Sequence, residues 1–118
     1  MSVEGLWFVQ LASVKNPGEF QHGGVVVLED QRVVGADSIH SYLGDYRLDG
    51  EELTARIRIQ TWNKDVPPDN IFGLKGPVDH QVEVSGRREG GIIRGSLGSA
   101  DAPGLKLPMR MRFIADLP

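Results

Sequence analysis

The stretch "ELTARIRIQTW", residues 52–62, decides the fold. Leu53, Ala55, Ile57 and Ile59 alternate with Thr54, Arg56, Arg58 and Gln60, the two-residue period of a strand with one face buried and the other wet. The same period recurs downstream. In "VDHQVEVSG" Val78, His80, Val82 and Val84 alternate with Asp79, Gln81 and Glu83. In "LKLPMRMRFIA" Leu105, Leu107, Met109, Met111 and Phe113 alternate with Lys106, Arg110 and Arg112. Pro108 falls on the polar parity and donates no ladder bond, which predicts a bulge or an exposed edge there.

Upstream, "GGVVVLE" and "RVVGAD" read as strands joined across "EDQ", and "SIHSYLGDYRL" follows as a third. His40, Tyr42, Gly44, Tyr46 and Leu48 then point inward, and Asp45, Arg47 and Asp49 mark the wet face. Gly44 inside a strand predicts a bend or a close backbone approach. Asp49-Gly50 signals a hairpin into the Arg56 strand. Adding "GLWFVQLAS" and "IIRGSL" gives about eight strands, with no helical segment of usable length and turn signals spaced for a meander. The longest irregular connections are "NKDVPPDNIFGLKGP", around Pro67 and Pro68, and "GSADAPG" at 98–104. A chain of 118 residues, 40% of them hydrophobic, fits one domain spanning 1–118. Sequential strands with short links predict an all-β, eight-stranded antiparallel up-and-down barrel, because closure removes sheet edges. A two-sheet sandwich is the alternative.

The net charge of -3, spread over 13 basic and 16 acidic side chains, gives no footprint for nucleic acid or for a membrane surface. With no cysteine there are no disulfides and no thiolate metal sites. Glu4 interrupts the apolar stretch near the N-terminus and no basic region precedes it, so a cytoplasmic protein is expected rather than a secreted one. The chain has no G-x-S-x-G elbow, phosphate loop, zincin motif or dinucleotide fingerprint. Neither catalysis nor a cofactor is expected. "GRREGG" precedes no helix and reads as a solvated hairpin tip.

Inward parities place His22, His40 and His80 inside the barrel. Three convergent imidazoles would make an open zinc site and a metal-assisted enzyme, whereas separate histidines near strand ends would be structural. A barrel of eight strands either fills itself or holds one small apolar ligand. Phe8, Tyr42, Tyr46, Ile57, Met109 and Met111 would line that interior, with Phe113; Gly24 and Gly44 would leave room. In the first strand Trp7, Val9 and Leu11 take the parity opposite to Leu6 and Phe8, so one apolar set needs cover from outside, which favours a homodimer through this wall. Arg56, Arg58, Arg110 and Arg112 would form a basic stripe if their strands were neighbours. With Trp62 as the main aromatic nearby, a nucleic-acid platform is not expected.

Several short motifs carry a resemblance: Gly5-Leu6-Trp7, the Gly-Val-Val-Val run from Gly24, the turn at Gly35 to Ser38, the Tyr-x-Gly-x-Tyr element at Tyr42 to Tyr46, and Phe72-Gly73. Together they make the chain similar to the GrlR-type family of small lipocalin-like (calycin-like) barrels. The resemblance implies a barrel that is often dimeric and has no known catalysis. It also implies a regulatory protein that captures a protein partner through an acidic surface loop. Asp49, Glu51 and Glu52 would stand in that place. Gly50 interrupts the charge, and an ordinary hairpin tip also accounts for these residues.

Overall fold

The structure is a computed structural model that describes residues 2–12, 19–65, 79–99, 104 and 106–118, with only the backbone of Gln21 and His22. Val78, Leu105, the Pro67-Pro68 connection, Phe72-Gly73, residues 100–103 and the His22 side chain therefore lie outside the described residues. Eight strands follow one another: β1 (Gly5–Ala12), β2 (Phe20–Glu29), β3 (Arg32–Ala36), β4 (His40–Asp49), β5 (Glu52–Thr61), β6 (Asp79–Glu89), β7 (Ile92–Ser99) and β8 (Lys106–Ala115). Each pairs antiparallel with the next, and β8 pairs with β1, so the sheet closes into a barrel in meander order. No described helix is long and apolar enough to cross a membrane.

Alternation does most of the folding. On β6 the buried residues are His80, Val82, Val84 and Gly86, and their neighbours Asp79, Gln81, Glu83 and Ser85 are exposed. Leu107, Met109 and Met111 are buried in the same way on β8. Gly44 sits where a Cβ would lie 1.9 Å from the carbonyl oxygen of Arg56, so the close backbone approach read from the sequence is present. At Pro108 the register to β7 runs unbroken through Ser96. The last β1–β8 pair is Leu11 with Met109, so this proline has no β1 partner. The break is a local end of the ladder rather than a bulge.

Two-residue turns close β2–β3, β4–β5 and β6–β7. Asp30 and Gln31 both hold positive φ, 53° and 62°, and Gly50 and Gly90 open the other two at 61° and 63°. Strand β6 continues through Arg87, Arg88 and Glu89, so "GRREGG" is mostly strand and only its last two glycines turn. The barrel end carrying these hairpins is plugged by the N-terminal segment. Val3 is buried, and its carbonyl accepts the Trp7 indole N–H at 2.8 Å. Trp7 is 1% exposed and meets Phe113 edge-on, with ring centroids 5.4 Å apart.

The first strand overturns one expectation. Trp7 and Leu11 are buried in the core and Val9 packs against it. Phe8 lies across from Val25 and Arg112, both exposed, and so belongs to the outer wall rather than the lumen. Both parities of β1 are apolar, so alternation could not choose between them; the larger ring and its indole N–H took the interior. Trp7→Ala is expected to cost about 3–5 kcal/mol, the usual loss for a buried aromatic, measured by urea denaturation.

Candidate functional site

Three surfaces were open to function: the lumen, its polar end, and the outer wall. The lumen is nearly solid. Its remaining void is about 40 Å³, lined by Tyr42, Tyr46, Ile57, Met109 and Met111 among others. That is room for about one water-sized group, against the roughly 300–1,000 Å³ of an ordinary ligand pocket.

Polar groups collect inside the end from which β4 and β6 start. His40, His80 and Ser99 are the buried polar residues among those described. The His80 Nδ1 lies 3.0 Å from the Ser99 hydroxyl. Asp37, in the short β3–β4 link, organises the rest. Its Oδ1 accepts the backbone N–H groups of Ile39 at 2.8 Å and His40 at 2.6 Å, and its Oδ2 accepts the Tyr42 hydroxyl. The Trp62 indole donates to the Asp37 carbonyl at 3.0 Å, tying β5 to this turn. Burial alone would push the Asp37 carboxyl up. The His40 ring 3.7 Å away, the Tyr42 hydroxyl and the two backbone donors outweigh it and hold the group well below the usual carboxylate range. Burial and the adjacent carboxylate push the Tyr42 phenol well above its ordinary value. The His40 Nε2 is buried with no hydrogen-bond partner among the described residues.

His40 pairs with Thr61, and His80 with Ile59, so β5 separates the two histidines and they sit at different levels of it. Among the described residues no three His, Asp or Glu side chains gather as a metal-ligand set.

Outside, register sorts the side chains into rows. One row runs Leu6, Val27, Val34 and Leu43 across β1 to β4, and the next runs Phe8, Val25 and Ala36. Val25, Val34 and Leu43 are 43%, 53% and 48% exposed. On the hairpin side a charged row borders this apolar wall: Glu29, Arg32, Asp45, Arg56 and Glu83, opposite signs paired at each step. Beyond it lie the tips with Asp30, Asp49 and Glu51, all exposed. Glu52 is also exposed, but its carboxylate is held by Arg87 at 2.6 Å. Of the acidic trio read from the sequence, Asp49 and Glu51 remain without a side-chain partner among the described residues.

The basic stripe expected from Arg56, Arg58, Arg110 and Arg112 does not exist, because β5 and β8 are not neighbours. Arg58 makes a two-pronged pair with Asp79, 2.8 Å on each prong, and Arg56 faces Glu83. The exposed apolar wall was visible in the sequence only as surplus apolar residues. The Asp37 anchor had a signal, the Asp-Ser turn ahead of an inward histidine, which reads as an Asx turn. Comparison of the chain with protein-family profiles and with curated proteins finds no match.

Asp37→Asn should lower stability at neutral pH by about 2–3 kcal/mol, since hydrogen bonds to a charged acceptor are among the stronger ones. The folded-state carboxyl titrates below its unfolded value of about 4, so its stabilisation is complete above that pH and is lost as pH falls. The gap between wild type and variant should therefore start to narrow as pH falls below about 4 and keep narrowing into strong acid, followed by denaturation at a series of pH values.

Proposed function

We propose that this protein is a non-catalytic regulatory module that binds another protein through the outside of the barrel. The observation that carries the reading is the contrast between a lumen left with about 40 Å³ and an outer wall where Val25, Val34 and Leu43 stay in water. Monomeric proteins seldom leave contiguous apolar rows uncovered without an interaction to use them. The acidic border at Asp30, Asp49 and Glu51 suits a partner presenting an apolar strip flanked by lysine or arginine. Similarity to the GrlR-type, lipocalin-like regulators supports the same reading and the same hairpin.

A second copy of the chain is the other occupant favoured by an observation: the charged row beside the wall alternates in sign, so like walls approach without net repulsion. A carrier of a small apolar ligand would need the lumen to expand several-fold, and that reading is set aside.

Val34→Glu combined with Leu43→Glu should abolish partner capture, or dimerisation seen by sedimentation, while the melting temperature is kept. Glu51→Lys should weaken capture of a basic partner without affecting a dimer. Glu51 is the cleaner site because reversing Glu52 would also break its pair with Arg87. Capture unchanged in both variants would remove the proposal.

A further inference from the structure

Beside the apolar wall, where β8 meets β1, one row of the outer face is charged in an unusual way. It runs Glu52, Arg87, Arg94, Arg110 and Gln10 over β5, β6, β7, β8 and β1. Like charges placed directly opposite across a ladder are unfavourable. The arginines of β5 are matched by carboxylates: Arg58 is answered by Asp79 and Arg56 by Glu83. Here one carboxylate, that of Glu52, serves Arg87 alone. Arg94 is exposed and has no side-chain partner among the described residues. Arg112, exposed and two residues along β8 from Arg110, has only Ile92 and Phe8 across from it.

Arg110 is built rather than merely solvated. Its Nε and Nη2 both donate to the Gln10 side-chain oxygen, at 3.1 and 2.8 Å, and its guanidinium carbon lies 4.5 Å from the centre of the Phe20 ring. A bulge makes this possible. Between Val9 and Leu11 the partner residue on β2 moves from Gly24 to Gln21, so β2 carries one extra residue. Past that slip Phe20, of the same parity as the lumenal Val26 and Leu28, stands on the outer wall. Both of these supports are uncharged. They fix the direction of the guanidinium and leave its charge uncompensated.

We infer that Arg94, Arg110 and Arg112 form a docking face for an acidic polypeptide segment in extended conformation. Charge complementarity selects the chemistry: three guanidinium groups whose direct cross-strand partners on β6, β7, β8 and β1 include no carboxylate. Spacing selects the shape. Arg110 and Arg112 stand about 6.8 Å apart on one face of a strand, the repeat at which an extended peptide presents alternate side chains. A single-stranded nucleic acid fits less well, because the Phe20 ring face that could stack on a base is covered by Arg110.

The test uses the full chain and a fluorescein-labelled peptide of alternating glutamate and serine, read by anisotropy at low salt, with a lysine-serine peptide as control. Wild type should bind the acidic peptide and not the basic one, and binding should fall as salt rises. Arg94→Ala with Arg112→Ala should weaken it at least tenfold. Gln10→Glu should weaken it comparably with every arginine intact, by supplying the carboxylate the face lacks. Thermal melts confirm that both variants fold. No binding by wild type, unchanged binding in both variants, or displacement by an oligothymidylate at lower concentration than by unlabelled peptide would overturn the inference.

Discussion

The seam between β1 and β8 is the constraint on which the rest of the barrel depends. Every other pairing joins consecutive strands, but the seam joins distant residues such as Gln10 and Arg110, 100 positions apart along the chain. Closing a loop of that length costs about 4 kcal/mol in chain entropy beyond a constant term. The seam offsets this with its side chains: Trp7 edge-on to Phe113, Val9 across from Met111, Leu11 across from Met109. Without it β1 and β8 become open edges, and the inward row of each strand loses the opposite wall it packs on. The Val3 plug belongs to the same device, since its carbonyl fixes the Trp7 ring that the seam needs.

Much of this was legible from residues 52–62 and their repeats. Where one parity was apolar and the other charged, as on β5, β6 and β8, the inward set was read correctly among the described residues as far as Met111, because a one-residue slip would bury arginine. Phe113, read as inward, is 39% exposed beside the β1–β8 register shift. Legibility failed where that penalty was missing. On β1 both parities are apolar, and Phe8 was assigned to the lumen that Trp7 occupies. On β2 the bulge changes parity between Phe20 and Gly24, a slip set by pairing with β1 and invisible in a single strand. The partners of the arginines were likewise beyond reach, since cross-strand neighbours depend on strand order and register rather than local pattern. Tyr42 and Tyr46 were placed inside correctly, whereas the Asp37 anchor that holds the Tyr42 hydroxyl emerges only from the turn's geometry.

The same ladder geometry yields two kinds of charged row. The one through Asp45 alternates in sign, each group facing its opposite, as expected for a solvated face that serves stability. The one through Arg94 sets guanidinium beside guanidinium and braces Arg110 with an amide and a ring. A chain that can neutralise one row had the means to neutralise the other. One row meets opposite charge at each step, and the other leaves positive charge for the acidic segment proposed above to meet.

With little room left in the lumen, the recognition proposed above sits on the exterior, and the polar end of the barrel shows what the inside is committed to instead. There the Asp37 carboxylate holds the link between β3 and β4, the Tyr42 phenol, and through its carbonyl the Trp62 ring. Among the described residues at that end, the His80 ring is held by the Ser99 hydroxyl, and the His40 Nε2 is buried without a partner at a cost of about 1–3 kcal/mol. Replacing these groups to admit a ligand would undo the β3–β4 link first. Outer-wall residues carry no such burden: Val34 and Leu43 on β3 and β4 and Arg94 and Arg112 on β7 and β8 are exposed and can change without disturbing a core contact. Recognition built on those walls can diverge while the alternation that closes the barrel stays fixed.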